Sequence, residues 1–144
     1  MEWWGKDVGG GRALSGWNST CPFCPPDHAR VLRENALVYV LRDGFPVSPG
    51  HVLIITKRHV ASIFEATHEE REAIFGALDV ARSVVASEHH PDGWNIGIND
   101  GTAGGQTVTH LHVHLIPRYH GDQPDPRGGV RWIFPEKADY WTKP

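Results

Sequence analysis

The sequence lacks any apolar run near the roughly 18 residues needed to cross a membrane, and it has only two cysteines among 144 residues. The first absence excludes a membrane-spanning helix. Both cysteines lie in Cys21-Pro22-Phe23-Cys24, a spacing used for metal ligation or redox chemistry rather than for a disulfide framework. The chain also has no basic start followed by an apolar stretch, so we expect no secretory signal and a cytoplasmic protein.

The chain also has no excess of positive charge, because its 14 Lys and Arg residues are outnumbered by 17 Asp and Glu residues. The formal net charge is −3. Proteins that bind the nucleic-acid backbone need a surplus of clustered basic residues. We therefore expect no nucleic-acid partner, and any phosphate ligand should be small. The length and the 40% hydrophobic content indicate one catalytic domain with its own core.

The most informative feature present is a row of histidines. Strict alternation of polar and apolar residues is the period of a strand, so the three imidazoles are expected on one face and the aliphatic side chains beneath them. Along a strand, alternate residues lie about 6.6 Å apart, close enough to surround one phosphate. A half-exposed strand with incidental histidines is the weaker interpretation. The row reads His110, Leu111, His112, Val113, His114 and Leu115.

Other patterns predict an α+β fold, with strands gathered around one long helix. Thr67 followed by Glu70 is a capping-box signature, and helical spacing of apolar residues continues until Pro91. The segment 130–134 predicts a short strand or an aromatic cluster over the sheet. We expect a flexible arm over 1–20 and a domain over 21–144, with a C-terminal extension from about 121. Strands are predicted over 36–41, 50–55, 94–99 and about 108–116.

The histidine row suggests phosphoryl chemistry. An imidazole has an unperturbed pKa of about 6.5, so it is a competent nucleophile near neutral pH. A phosphoryl-transfer site also needs donors around the phosphate oxygens. Gln106, Thr107 and the backbone amides of the preceding glycines, including Gly105, lie at the entrance to the strand and are candidates.

The segment 105–118, Gly-Gln-Thr-Val-Thr-His-Leu-His-Val-His-Leu-Ile-Pro-Arg, resembles the signature of the histidine-triad (HIT) superfamily, in which three histidines alternate with apolar residues. Supporting segments at 50–54, 57–59 and 99–101 are similar to that family's and stand in the expected order. The resemblance covers roughly residues 21–120. It implies a five-stranded antiparallel sheet with one long and one short helix, and a homodimer whose sheets join.

For function, the resemblance implies a nucleotide hydrolase or transferase. The middle histidine, His112, would attack the α-phosphorus to give a nucleotidyl-histidine, and water or another acceptor would release the mononucleotide. The Gln-Thr pair favours dinucleoside polyphosphates over nucleoside phosphoramidates as substrates. The resemblance also implies phosphate contacts for His114, Gln106 and Thr107, with His114 counted as catalytic. It places Asn99 in the lining of the same pocket, gives Asp43 a ribose contact and puts His51 near the nucleoside.

The zinc-containing branch of the family further implies a structural zinc ion, because its ligands match Cys21, Cys24, His59 and His110, a tetrahedral set of two thiolates and two imidazoles. The rival interpretations are idle thiols, a redox dithiol, and His28 as a competing ligand. Two rival functions also remain: a binding module whose triad only senses phosphate, and a metalloenzyme in which all three row histidines bind a metal.

Overall fold

The structure, a computed structural model, describes residues 20–144. The predicted arm therefore lies almost entirely outside the described residues. None of the helices within residues 20–144 combines the length and the hydrophobicity that a membrane span requires. In chain order the elements are a 3-10 helix His28–Arg30, β1 Val31–Glu34, β2 Val38–Arg42, β3 Val52–Thr56, α1 His68–His89, β4 Gly93–Gly97, a 3-10 helix Thr102–Gly104, β5 His112–Arg118, a 3-10 helix Gly129–Ile133 and α2 Pro135–Ala138.

The five strands form one antiparallel sheet in the order β1-β2-β3-β5-β4. The fold class is thus the expected one, a five-stranded antiparallel sheet with one long and one short helix. The histidine strand β5 lies between β3 and β4. His112 stands opposite Ile55 and His114 opposite Leu53 in the ladder, so β3 fixes the height of both imidazoles along the sheet.

Helix α1 covers one face of the sheet. Its N-terminus is capped as predicted, because the Thr67 hydroxyl accepts a hydrogen bond from the Glu70 N–H at 3.1 Å. The Glu70 side chain does not complete the capping box in return but pairs with Arg58, Nε to Oε1 2.7 Å. Small residues let the helix lie close to the sheet. The residues buried between helix and sheet include Ala73, Ala77, Ala81, Val85, Val52, Ile54, Val113 and Leu115.

The opposite face of the sheet carries the histidines and a smaller apolar cluster. That cluster consists of Phe23, Val31, Leu41, Leu53 and Ile55. Because alternate side chains of a strand point to opposite faces, β5 places its aliphatic residues under the helix and its imidazoles on this second face. His112 and His114 therefore lie on one side of a sheet whose other side packs against the helix.

Two predictions about elements need correction, and one strand was not predicted. The histidine strand begins at His112 rather than at about Val108, so His110 precedes the ladder. The residue pattern also missed β1. The segment 130–134 is not a strand, because Gly129–Ile133 forms a 3-10 helix entered through glycines at positive φ, Gly128 at 86° and Gly129 at 42°.

Candidate active site

The backbone carbonyl of His110 determines which ring nitrogen of neutral His112 carries the proton. Its Nδ1 lies 2.7 Å from the carbonyl oxygen of His110, and since a carbonyl can only accept, Nδ1–H must donate. In the neutral ring the lone pair then resides on Nε2. The ring is only 8% exposed and meets Phe23 edge-on, with the ring centroids 5.6 Å apart. His112 therefore offers a held imidazole with an unprotonated Nε2, which is the form a nucleophile requires.

His114 is oriented by a second histidine. The Val47 N–H donates to Nδ1 of His51 at 3.2 Å, so the proton of neutral His51 is on Nε2. That Nε2 lies 2.9 Å from Nδ1 of His114 and 3.3 Å from Oδ2 of Asp43. Nδ1 of His114 is thus the acceptor, and its own proton is on Nε2. The ring of His114 lies next to that of His112, with the two ring centroids 5.2 Å apart.

Burial keeps these two supporting imidazoles neutral. Desolvation lowers the pKa of His51, and the nearby Asp43 carboxylate opposes that shift. Desolvation also lowers the pKa of His114, with smaller contributions in the same direction from His112 and His51. Asp43 in addition accepts a hydrogen bond from the Phe45 N–H at 2.7 Å. The Asp43 carboxylate therefore contacts both the backbone of the turn after β2 and the ring of His51.

The four residues implied as zinc ligands converge. Their ligand atoms all lie within 4.8 Å of one another. The Sγ atom of Cys21 is 3.3 Å from Nδ1 of His110, and the Sγ atom of Cys24 is 3.3 Å from Nδ1 of His59. Such separations suit the edges of a tetrahedron around a zinc ion with bonds of about 2.0 to 2.3 Å. Two thiols and two imidazoles thus fit zinc, and His28 is not part of the group.

Hydrogen bonding and burial fix the tautomer and the charge of His110. Its Nε2–H donates to the Thr56 carbonyl at 2.7 Å, which leaves Nδ1 unprotonated and directed at the thiols. Burial lowers the pKa of His110 to about 4, so the ring stays neutral. Burial raises the pKa of the Cys21 thiol to about 11 in the metal-free chain, so metal binding would have to displace its proton.

The loop between β4 and β5 is held by its own hydrogen bonds. The Gln106 side chain accepts from the Gly101 N–H at 2.8 Å and donates to the carbonyls of Ala61 at 2.8 Å and Val108 at 3.1 Å. The N–H groups of Gly105 and Gln106 donate to carbonyls within the loop. These backbone N–H groups were expected to donate to a phosphate, but in this structure they already donate to carbonyls of the loop itself.

Two residues at the site were not singled out from the sequence. Phe23 packs edge-on against both His110 and His112, and its position between the two cysteines was the available signal. The Asp100 carboxylate accepts from the Ser62 hydroxyl at 2.9 Å and from the Ile63 N–H at 2.9 Å. Asp100 thereby ties the β4–β5 loop to the segment after β3.

Asn99 and Thr107 lie exposed on the same β4–β5 loop, whereas Gln106 is half-buried beneath it. The structure thus brings His51, Asp43 and His114 into direct contact and gathers the four sulfur and nitrogen ligands beside His112. Comparison with known proteins identifies the family to which this chain is similar. The family model described as the HIT domain matches residues 26–121.

The chain belongs to the HIT domain family. It is 33% identical over 102 residues to a protein named AP-4-A phosphorylase from Mycobacterium tuberculosis, covering 70% of this chain and 52% of that protein. It is 32% identical over 113 residues to a protein named Bis(5'-adenosyl)-triphosphatase from Saccharomyces cerevisiae, covering 78% and 52%. The chain spans about half the length of these two relatives.

Solved structures share the fold. SMU.412c from Streptococcus mutans matches with a TM-score of 0.69 and 30% identity, over 83% of this chain and 78% of that one. A Zn-bound histidine triad family protein from Mycobacterium smegmatis matches with a TM-score of 0.56 and 36% identity, over 64% and 71%. The HIT chain described here is thus similar to proteins named for dinucleotide chemistry and to one named for bound zinc.

Proposed function

We propose that this HIT protein hydrolyses dinucleoside polyphosphates at the α-phosphate, with His112 as the nucleophile. The observation that carries the proposal is the bond from Nδ1–H of His112 to the His110 carbonyl, which leaves Nε2 unprotonated. The neighbouring ring of His114, its centroid 5.2 Å from that of His112, would supply its Nε2–H as a donor. The names of the two relatives, AP-4-A phosphorylase and Bis(5'-adenosyl)-triphosphatase, support this substrate class.

The reaction divides into two displacements. In the first, the lone pair on Nε2 of His112 forms a bond to the α-phosphorus while the bond from that phosphorus to the bridging oxygen breaks, and the remaining nucleotide leaves. In the second, a water oxygen attacks the same phosphorus, the P–N bond breaks, and a nucleoside monophosphate and a proton are released. The Nε2–H of His114 stabilises the charge on the phosphate oxygens in both steps.

We assign the remaining site residues around that centre. Asn99 and Thr107 would contact phosphate oxygens from the β4–β5 loop. Gly105, where an added Cβ would meet nothing within 4 Å, leaves room for the phosphate chain to approach the backbone. Gln106 would support the phosphate-binding loop through its amide. Asp43 would bind the ribose while His51 holds the ring of His114.

We further propose that the quartet of Cys21, Cys24, His59 and His110 holds a structural zinc ion. Two thiols and two imidazoles use all four positions of a tetrahedral zinc, which leaves none for substrate. When bound, the ion would join the segment before β1 to the start of β5. The fitting ligand geometry and the Zn-bound relative support the assignment. This arrangement also favours the nucleophile interpretation over a metal bound by the whole histidine row.

A homodimer through β4 is the assembly we propose. Strand β4 is the outer strand of the sheet beside β5, and no strand within residues 20–144 pairs with its other edge, which could pair with a second copy. Its Ile96 side chain is 49% exposed, and Ile98 just after the strand is 38% exposed. Ile96→Lys should convert a dimer into a monomer in sedimentation analysis, whereas a wild-type monomer would contradict the proposal.

The two free cysteines support the proposed cytoplasmic location.

A substrate panel tests the function. The wild-type chain should release AMP from diadenosine tetraphosphate with a higher kcat/KM than from adenosine phosphoramidate. His112→Ala should bind the dinucleotide with little change while its turnover falls by orders of magnitude. Adding inorganic phosphate separates the acceptors, since attack by phosphate would yield ADP in place of AMP. Near-normal hydrolysis by His112→Ala would contradict the assignment, and binding without turnover by the wild type would favour the sensor interpretation.

A further inference from the structure

A cavity continues the histidine row along β5. On the imidazole face of the sheet, Ile116 and Arg118 follow His114 at alternate positions, and both line a cavity of about 670 Å³. Its size falls within the range of pockets that take small molecules. The HIT chemistry assigned above uses none of these residues. The cavity therefore adjoins the proposed reaction centre on the side opposite the metal quartet.

The walls of the cavity are tied together before any ligand arrives. The Ser48 hydroxyl donates to the Pro117 carbonyl at 2.8 Å, and the Tyr119 hydroxyl donates to the Pro49 carbonyl at 2.6 Å. These bonds hold the β2–β3 loop against the end of β5. A pocket whose walls are already in place loses less free energy to ordering when a ligand binds.

The C-terminal extension forms the remaining wall and contributes an aromatic ring. The indole N–H of Trp132 donates to the Arg127 carbonyl at 2.7 Å, which fixes the ring at the cavity, where it is 43% exposed. Gly129 lets the extension approach β4 closely, because an added Cβ would lie 3.0 Å from Nδ2 of Asn95. A held, half-exposed indole is a surface on which a planar ring can stack.

The charges in the cavity are already compensated. The Arg118 guanidinium binds both carboxylate oxygens of Asp122, at 2.7 and 2.8 Å, and donates to Oδ1 of Asn95 at 2.6 Å. Asp125 pairs with Arg127 in the same way. A site with paired charges and an indole suits a neutral aromatic ring better than a phosphate group, which would need uncompensated donors.

Resting on the function proposed above, we infer that this cavity binds the nucleoside of the leaving nucleotide, with Trp132 stacking on its base. Ile116 lies four residues beyond His112, roughly 13 Å along the strand. The nucleoside attached directly to the α-phosphate is assigned above to Asp43 through its ribose, whereas a nucleoside at the far end of a polyphosphate chain is left to occupy the cavity. The cavity would thus select substrates that carry two nucleosides.

Binding measurements on the full chain test the inference. In a His112→Ala background, which prevents turnover, dissociation constants are measured for diadenosine tetraphosphate and for adenosine tetraphosphate, which lacks only the second nucleoside. Trp132→Leu should weaken binding of the dinucleotide about tenfold or more and leave binding of the mononucleotide unchanged. Trp132→Phe, which keeps a ring, should recover most of the lost affinity.

A matched control comes from the same segment. Phe134 is 60% exposed and does not line the cavity, so Phe134→Leu should change neither dissociation constant. Equal weakening of both ligands by Trp132→Leu would overturn the inference, because it would indicate a structural role for the indole. Unchanged binding of the dinucleotide would overturn it as well. Failure of the wild type to hydrolyse either ligand would instead contradict the proposed function.

Discussion

At the scale of residues, hydrogen bonds assign different tasks to chemically identical side chains. The Thr56 carbonyl takes the Nε2–H of His110, and the His110 carbonyl takes the Nδ1–H of His112. His51 supplies the Nε2–H that makes Nδ1 of His114 an acceptor. In the proposed mechanism the three row histidines therefore offer, in turn, a nitrogen to a metal, a nitrogen to phosphorus and an N–H to an oxyanion.

Replacing His51 tests this division of tasks. His51→Asn removes the Nε2–H that holds His114, so the His114 ring loses its fixed tautomer and orientation. We expect kcat/KM for diadenosine tetraphosphate to fall about 10- to 100-fold, the usual cost of losing such a supporting bond. Steady-state kinetics measure the change, and circular dichroism should show an unaltered fold.

His120→Asn is the matched control, since the His120 side chain is 92% exposed, and it should leave the kinetics unchanged. A kcat/KM for His51→Asn equal to that of the wild type would show that the His51–His114 contact does not orient the site.

At the scale of elements, the four proposed zinc ligands come from three segments that lie far apart in sequence. Cys21 and Cys24 come before β1, His59 follows β3, and His110 precedes β5. A zinc ion here would hold the turn that supplies the carbonyl for His112. Metal binding should therefore stabilise the fold and the reaction centre together.

Cys21→Ser should abolish stoichiometric zinc. Elemental analysis of the purified chain should give about one zinc ion per wild-type chain and none in the variant. We expect the variant to lose on the order of several kcal/mol of unfolding free energy, because metal binding is coupled to folding. Full zinc occupancy in Cys21→Ser would rule out the quartet. Loss of zinc from His28→Gln, the control, would implicate a different ligand set.

The elements differ in how well local sequence predicted them. Helix α1 was predictable because Thr67 caps its start and Pro91 follows its end, and both signals are local. Strand β1 was missed because it is four residues long and its register with β2 is interrupted between Val31 and Arg33. The ligand set at the quartet followed from the family resemblance, whereas its convergence depends on contacts across more than 80 residues.

At the scale of the whole molecule, the main hydrophobic core lies on one face of the sheet and the proposed site lies on the other. Helix α1 buries one face, and the other face carries the metal quartet, the histidine pair and the cavity in succession. The α+β class was predictable from the strand and helix periods. The cavity was not, because it forms where the C-terminal extension returns to β4 and β5, and no local pattern specifies that return.

Burial of neutral imidazoles makes the stability of the whole chain depend on pH. The folded-state pKa values of His51 and His114 lie below the unfolded value of about 6.5. As pH falls through 6.5, the unfolded chain takes up protons that the folded chain does not, so the unfolding free energy decreases. Urea denaturation of the zinc-loaded protein at pH 7.5, 6.5 and 5.5, roughly spanning that value, should show this decrease.

The same measurements on His51→Asn provide the control, because one of the two titrating rings is absent and zinc loss affects both proteins alike. The decrease in unfolding free energy between the highest and lowest pH should be smaller in the variant. An equal or larger decrease would contradict the prediction.

The most direct test of the account is to trap the covalent intermediate. Wild-type protein mixed with diadenosine tetraphosphate and quenched with base within milliseconds is digested and analysed by mass spectrometry. We predict a transient AMP adduct on the peptide that contains His112, absent from His112→Ala and formed no slower than AMP is released. An adduct on another residue, or steady turnover with no adduct at any time point, would contradict the assignment of His112 as the nucleophile.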